Sequence, residues 1–193
     1  LPTLYHINHI QLPINPGNIN TSNALSEIND LRFRVASGES FHSLAIAHSD
    51  DPGSASQGGD LGYVQRGSLV TEFESVAFTQ DVGIISEPIL TKFGFHLIET
   101  LDRQGEKSRI RHILIKPEIT ESDEIKAYEL AVTLKDSVLN FDTFKQFAKI
   151  YSDDKTTKKI GGDLGWVNLS NFPIPEFSHA IQTMSSIGVC SLP

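Results

Sequence analysis

The sequence predicts an α+β fold of two tandem domains, each with a small antiparallel sheet and helices packed on it. The main observation is an internal repeat. The segment SDDPGSASQGGD at residues 49–60 recurs as SDDKTTKKIGGD at residues 152–163, a displacement of 103 residues. His9 recurs as His112 with the same displacement. A repeat of this length is too long for a solenoid unit and has the size of a small domain.

The first copy shows a consistent order of elements. β-Branched and aromatic residues predict a strand at its start, and apolar residues at i, i+3, i+4 spacing predict its helices. The predicted elements are, in order, a strand over residues 5–12, a helix that begins at Thr21 or Ser22 and stops at Gly38, a short helix over residues 41–48, the repeated loop, a short strand, a helix around Phe73 and a closing strand over residues 94–100. This β-α-α-β-α-β order excludes a parallel doubly wound sheet of the usual size.

The second copy repeats that order. A strand over residues 109–115 is followed by a helix over about 121–139, which begins behind the capping pattern Thr120-x-x-Asp123. The polar segment 102–108 is the predicted linker. The expected domains are therefore residues 1–105, which are complete, and residues 106–193, which lack the counterpart of the closing strand.

Composition narrows the function classes. The formal net charge is −8, and neither copy has the basic face that binding to a phosphate backbone requires, so nucleic acid is not an expected partner. No apolar run approaches the ~20 residues that cross a membrane. Cys190 is the only cysteine, so an intrachain disulfide cannot form. Because the sequence begins at Leu1 within a strand-like pattern, we expect a piece of a longer protein.

Metal and nucleophilic chemistry are also not predicted. His6 and His9 would point to opposite faces of a strand, and no third ligand is spaced to complete a zinc site. His48, Ser49 and Asp50 are neighbours in sequence, whereas a catalytic triad is assembled in space. No cofactor is expected.

The ordered motifs resemble the parvulin-type (PpiC-type rotamase) peptidyl-prolyl cis/trans isomerases. They are the two histidine strands, the loop that ends in Gly-Gly-Asp-Leu-Gly-(Tyr/Trp)-Val in each copy, and the closing Gly-Phe-His-Leu-Ile. The resemblance implies a four-stranded antiparallel sheet surrounded by helices in each copy. The tandem arrangement resembles SurA-type periplasmic chaperones, which implies an extracytoplasmic folding factor whose partners are unfolded or proline-containing polypeptides, with outer-membrane protein precursors as candidates.

The resemblance also implies site residues. His9 and His96 would form a hydrogen-bonded pair between adjacent central strands, and Asp51 would lie beside the substrate carbonyl. His112 and Asp154 are the counterparts of His9 and Asp51 in the second copy. The proline-binding residues would be Leu61, Val64, Leu69 and Phe73 in the first copy, and Leu164, Val167, Phe172 and Phe177 in the second.

Structural interpretations of the same residues stay open. The histidine pair can brace the sheet, and Leu61, Leu69 and Phe73 can belong to the core. Asp60 and Asp163 are predicted to be turn and capping residues. At the level of function, the alternatives to an isomerase are a non-catalytic module that binds unfolded polypeptide and a structural spacer.

Overall fold

The computed structural model describes residues 3–184 and divides the chain into two compact units. The first, here called the central unit, is Pro16–Glu118. The second, called the split unit, combines Leu1–Asn15 with Ile119–Pro193. None of the helices within residues 3–184 has the length and hydropathy needed to cross a membrane.

Six strands and six α-helices make up the described residues. In chain order they are β1 (Tyr5–Asn8), α1 (Asn18–Ala36), α2 (Phe41–His48), β2 (Asp60–Gln65), α3 (Thr71–Ala77), β3 (Ile89–Thr91), β4 (Gly94–Gln104), β5 (Lys107–Ile115), α4 (Glu121–Ser137), α5 (Phe141–Tyr151), β6 (Asp163–Val167) and α6 (Pro175–Thr183). This α+β content agrees with the predicted fold class.

The predicted helices are confirmed, with shifted ends. Helix α1 begins at Asn18, three or four residues before the predicted start, and Thr21 lies inside its first turn, where its hydroxyl donates to the Gly17 carbonyl at 3.0 Å. Helix α4 has the predicted capping box, in which the Thr120 N–H donates to the Asp123 carboxylate at 3.1 Å. Cys190 lies outside the described residues.

The central unit contains a four-stranded antiparallel sheet in the order β2-β5-β4-β3. Strand β5 lies between β2 and β4, and it carries the second histidine motif of the sequence. Its apolar residues Ile113 and Ile115 pack with α1 and α2 in the core on one side. Ile110 packs with α3 on the other. Both faces of the strand are therefore covered.

The structure corrects the predicted linker over residues 102–108. These residues form a β-hairpin in which Gln104 pairs with Lys107, and Gly105 supplies the turn with a φ of 58°. The chain therefore continues from β4 into the same sheet instead of leaving it. A polar two-residue turn between long strands has the same local composition as a linker, so sequence alone did not separate them.

The compact units also differ from the predicted division at residues 105 and 106. Strand β5 completes the sheet of the central unit, and β1 pairs with β6 in the split unit. The four-stranded sheet expected for each copy is present in the central unit. Within the described residues, the split unit has the two-stranded sheet β1-β6.

A close backbone approach fixes the position of β5 against the repeated loop. The His112 N–H donates to the Gly59 carbonyl at 2.9 Å. A Cβ on Gly59 would lie 2.0 Å from the His112 carbonyl oxygen, and the φ of Gly59 is +81°. Both the space and the backbone conformation therefore require glycine at this position.

We predict that Gly59→Ala strongly destabilises the central unit, because the new methyl group cannot coexist with the β5 backbone. Gly62→Ala is the matched control. Gly62 also has a positive φ, of +67°, but its Cβ would meet nothing within 4 Å. We expect a cost of ~1–2 kcal/mol for Gly62→Ala from strain alone, and a cost at least about 2 kcal/mol larger for Gly59→Ala. Urea unfolding followed by circular dichroism measures both. Equal costs would contradict the steric argument.

Candidate active site

Four polar side chains form a hydrogen-bonded line across the sheet of the central unit. Asp51 lies in the repeated loop, His112 on β5, His96 on β4 and Thr91 on β3. The His112 Nε2 lies 2.9 Å from the Asp51 carboxylate, and the two histidine Nδ1 atoms are 3.1 Å apart. The His96 Nε2 lies 2.8 Å from the Thr91 hydroxyl. The imidazole rings are stacked, with an interplanar angle of 14°.

Asp51 determines the direction of these hydrogen bonds. Its pKa is lowered overall. Burial acts to raise it, but hydrogen bonds from Ser54, His112 and the Gly53 N–H outweigh burial. An ionised carboxylate only accepts, so His112 carries its proton on Nε2 and its Nδ1 is an acceptor. His96 therefore donates from Nδ1.

The same reasoning assigns the donors and acceptors at the Thr91 end of the line. Since the His96 proton is on Nδ1, its Nε2 accepts, and the Thr91 hydroxyl must be the donor. The Thr91 oxygen in turn accepts from the Phe93 N–H at 3.0 Å. Every donor in the line thus has an acceptor, and both histidines are neutral. The geometry assigns a single tautomer to each ring.

A buried hydroxyl, that of Ser54, braces the carboxylate. It donates to Asp51 at 2.5 Å and lies 3.1 Å from the His112 Nε2. Ser54 is only 1% exposed, so this contact is shielded from water. Ser54 and His112 thus both contact the same carboxylate oxygen, Oδ2 of Asp51.

Burial keeps both histidines neutral. It lowers the pKa of His96 to about 4, helped by the neighbouring His112 and opposed by Asp51. It also lowers the pKa of His112, where the hydrogen bond and charge of Asp51 act in the opposite sense. The stacked rings therefore stay uncharged at neutral pH.

An apolar cluster borders the polar line. The predicted proline-binding residues of the first copy come together in it, with the buried Phe73 at its centre and Leu61, Val64 and Leu69 partly buried against it. The Phe73 ring contacts His96 and His112 edge-on, with centroid distances of 5.2 and 5.5 Å. The apolar cluster and the polar line are thus in direct contact through the Phe73 ring.

The split unit repeats the first half of this geometry. The His9 Nε2 lies 2.9 Å from the Asp154 carboxylate and 3.0 Å from the Thr157 hydroxyl. Hydrogen bonds from Thr156, Thr157 and His9 lower the pKa of Asp154. Phe177 lies beside His9 at 5.8 Å and beside Phe172 at 5.4 Å. Leu164 and Val167 lie on β6 and are partly buried.

The partner of His96 differs from the expectation. His96 was expected to pair with His9, but the structure places His112 beside it, because β5 and not β1 is the neighbour of β4. The structure therefore groups Asp51, His96 and His112, which the sequence assigned to two different copies. His9 and Asp154 form the second group.

Three hydroxyl residues of the site, Ser54, Thr91 and Thr157, are not predicted from the sequence. Ser54 and Thr157 occupy equivalent positions in the two loops, so the repeat contained a signal for them, namely a hydroxyl kept where neighbouring residues change. Thr91 had no such signal. The turn role of Asp60 and Asp163 is confirmed, since their carboxylates accept from the Gly62 and Gly165 N–H groups.

Within residues 3–184, no group of three or more histidine, cysteine, aspartate or glutamate side chains could hold a metal ion. The polar line and the apolar cluster beside it supply hydrogen bonds, the carboxylate of Asp51 and apolar contact.

Comparison with known proteins identifies the family. Residues 9–102 and residues 102–189 each match a family described as a PPIC-type PPIASE domain. The chain belongs to the PPIC-type peptidyl-prolyl isomerases. The two matched segments also show that family sequence is present twice in tandem.

Relatives of this PPIC-type chain include several proteins named Chaperone SurA. The protein from Hahella chejuensis is 34% identical over 98% of the chain and 44% of its own length. That from Methylococcus capsulatus is 38% identical over 78% of the chain and 34% of its own length. The chain thus spans less than half the length of these relatives. The crystal structure of peptidylprolyl isomerase PrsA from Bacillus cereus is 29% identical, covering 67% of this chain and 41% of that one, with a TM-score of 0.40.

We predict that ¹⁵N NMR of the histidine rings shows His96 protonated on Nδ1 and His112 protonated on Nε2 at pH 7. Thr91→Val removes the donor to the buried His96 Nε2 and is expected to destabilise the protein by ~1–3 kcal/mol. Thr91→Ser keeps the hydroxyl and serves as the control, with a smaller loss. A proton on Nε2 of His96 in the wild-type protein would contradict the assigned direction.

Stability is predicted to fall as the pH is lowered from about 6.5 to about 4. The folded pKa of His96 is about 4, whereas an unfolded histidine titrates near ~6.5. The unfolded chain therefore binds more protons in this window, which costs up to about 3 kcal/mol at its lower end. Urea unfolding of wild type and His96→Leu across this range tests the prediction. The variant should lose less stability on acidification, and parallel pH curves would contradict the assignment.

Proposed function

We propose that this chain is a parvulin-type peptidyl-prolyl cis/trans isomerase that acts on X-Pro bonds of unfolded polypeptides. The single observation that carries the proposal is the line from Asp51 through His112 and His96 to Thr91 beside the apolar cluster around Phe73. Membership of the PPIC-type family supports it. The residues that act are those of the central unit.

The reaction makes limited demands on the protein. Rotation of a peptide bond meets a barrier of ~18–20 kcal/mol, which arises from amide resonance. No covalent bond is broken, so neither a nucleophile nor a metal is needed. An effective site binds the proline ring and stabilises the twisted amide more than the planar one.

Asp51 is suited to that preference. Its side chain is 24% exposed, whereas that of His112 is 7% exposed, so the carboxylate is the member of this pair that meets solvent and substrate more. Resonance in the planar amide places partial negative charge on the carbonyl oxygen, and a nearby carboxylate disfavours that charge. The twisted amide has less of it, so the carboxylate lowers the barrier to rotation.

The histidines have an indirect role in this proposal. They are buried and neutral. His112 donates a hydrogen bond that positions the Asp51 carboxylate, and His96 donates to His112. The buried Phe73 covers their edges. The partly buried Leu61 and Leu69, which pack against its cluster, provide the apolar surface for the proline ring.

The substrate class and location follow from the relatives. Proteins named Chaperone SurA match nearly the whole chain, which supports unfolded polypeptide as the substrate. By the same resemblance we propose an extracytoplasmic, periplasmic location, with outer-membrane protein precursors among the partners.

The decisive test is a proline-isomerisation assay on the whole chain. We predict that Asp51→Ala and Asp51→Asn lower kcat/KM by roughly tenfold to a hundredfold, since each removes a preorganised charge at the reacting group. Asp154→Ala is the matched control in the split unit. There, within the described residues, no second histidine is hydrogen-bonded to His9, and we expect a smaller loss.

Two results would refute the catalytic proposal. One is a wild-type rate equal to the uncatalysed rate, and the other is full activity in both Asp51 variants with unchanged folding. Circular dichroism of each variant distinguishes loss of the site from loss of the fold.

A second candidate function is binding of unfolded polypeptide without catalysis. It is favoured by apolar side chains exposed on the split unit, where Trp166 is 69% exposed and stacks on His6 at 5.2 Å. Trp166→Ala should then weaken binding of a fluorescent unfolded peptide while leaving isomerisation by the central unit unchanged. Binding that is lost only in the Asp51 variants would favour the isomerase site as the sole binding surface.

A further inference from the structure

The loop of residues 66–70 connects β2 to α3 and carries one of the proposed proline-binding residues. It is called the 66–70 loop here. Residues 66–68 are exposed, and Leu69 is half-buried against the cluster around Phe73. An exposed segment with few buried apolar contacts opens easily unless other groups hold it. The position of Leu69 therefore depends on how this loop is tied to the rest of the central unit.

The carboxylate of Glu74 ties the 66–70 loop to α3. Its Oε1 accepts from the Gly67 N–H at 2.7 Å and from the Leu69 N–H at 2.9 Å. Hydrogen bonds to a charged acceptor are shorter and stronger than those between neutral groups. Because the two N–H groups lie on either side of Ser68, one oxygen atom fixes the curvature of the loop.

The loop in turn stabilises the charge of Glu74. The bond from the Leu69 N–H lowers the pKa of Glu74 most, and burial opposes it. The Gly67 and Ser68 N–H groups and the charge of Arg66 lower this pKa further. Three successive N–H groups thus act on one carboxylate, as in a backbone nest that binds an anion. Here the anion is a side chain of the same unit.

Arg66 provides a second attachment between the loop and the helix. Its guanidinium lies 4.7 Å from the centroid of the Phe78 ring. Phe78 directly follows α3 and packs against the same apolar cluster as Leu69. A cation over an aromatic face at an exposed position is a weaker attachment than a charge-assisted hydrogen bond. The loop is therefore held at its start by Arg66 and more firmly at its centre by Glu74.

The helix that holds the loop also contacts the polar line. Phe73 directly precedes Glu74, and its ring lies edge-on to His96 and His112, with centroid distances of 5.2 and 5.5 Å. Two successive residues of α3 thus contact the histidines and the 66–70 loop. The helix therefore places Leu69 relative to the polar line.

The split unit holds its own loop from the equivalent helix position. Phe177 is the counterpart of Phe73, so the next residue, Ser178, is the counterpart of Glu74. The Ser178 hydroxyl donates to the carbonyl of Leu169, which lies in the segment between β6 and α6, at 2.9 Å. In both copies the residue after the helix phenylalanine is hydrogen-bonded to the preceding loop, as an acceptor in one and a donor in the other.

We propose that Glu74 is a positioning residue for proline binding, whose carboxylate fixes the 66–70 loop so that Leu69 forms one side of the apolar surface for the proline ring. The proposal rests on the proposed function of the central unit. A loop that is ordered in advance removes an entropic cost from substrate binding. Leu69 contacts the proline ring in the planar and the twisted amide alike, so loosening the loop raises KM and leaves kcat unchanged.

Steady-state isomerisation by the whole chain tests the proposal. Glu74→Ala should raise KM about fivefold to thirtyfold and change kcat by less than about twofold. Glu74→Gln keeps an acceptor oxygen on a side chain of the same length and should return KM to within about threefold of the wild-type value. Glu72→Ala is the matched control, because Glu72 is an exposed carboxylate on the same helix. Its KM should equal that of the wild type.

Leu69→Ala shows whether Glu74 acts through Leu69. If it does, removing Glu74 has little further effect once the Leu69 side chain is gone. The double variant should then have a KM within about twofold of that of Leu69→Ala alone. A general effect of Glu74 on the fold would instead multiply with that of Leu69→Ala. Multiplying effects on KM, or a fall in kcat at unchanged KM in Glu74→Ala, would overturn the proposal.

Amide hydrogen exchange followed by NMR examines the loop independently of activity. The Gly67 and Leu69 N–H groups should exchange at least about tenfold faster in Glu74→Ala than in the wild type. In Glu74→Gln they should exchange near the wild-type rate. Exchange that is unchanged in Glu74→Ala would overturn the proposal even in a fully active chain.

The outcomes separate this proposal from the proposed function. If the wild-type chain does not catalyse isomerisation, the proposed function fails, and the exchange rates with the Kd of a fluorescent proline-containing peptide in place of KM still decide the role of Glu74. If Glu74→Ala fails to fold, Glu74→Asp takes its place. Its shorter side chain keeps the charge but withdraws the oxygen from the loop, so KM and the exchange rates should rise.

Discussion

The hydrogen bond between the Asp51 carboxylate and His112 is the interaction on which the candidate site depends. A carboxylate can only accept, and this restriction passes along the line from ring to ring until it fixes Thr91 as a donor. A neutral group in place of Asp51 would permit both directions, and the two rings would then interconvert between tautomers. The charge of Asp51 therefore sets the hydrogen-bond direction of three buried side chains, those of His112, His96 and Thr91.

The same hydrogen bond depends on backbone geometry that no side chain can supply. Gly59 allows the loop to approach β5 closely enough for the His112 N–H to reach a carbonyl. This places the histidine ring within reach of Asp51, and the hydroxyl of Ser54 closes the contact on the buried side. Two local features thus set the geometry of the site. Gly59 has no side chain to block the approach of β5, and the Ser54 hydroxyl restrains the Asp51 carboxylate.

Much of this could be predicted from sequence because local patterns specify it. Helical spacing identified α2 and α3, and the capping pattern at Thr120 identified the start of α4. The repeat singled out Asp51, His112 and the loop glycines. Thr91 could not be found in this way, since its role depends on β3 lying next to β4, which is a long-range pairing that no local pattern encodes.

The pairing of the strands marks the limit of sequence reasoning most clearly. Duplication revealed the site by showing which polar residues recur at a fixed displacement. Yet the more faithfully two strands are repeated, the less their sequences can specify which loop each one joins. Residues that differ between the copies must carry that information, and here these are Arg111 and Leu114 against Asn8 and Gln11. The recurring residues define the chemistry of a tandem domain, whereas the differing residues define its connectivity.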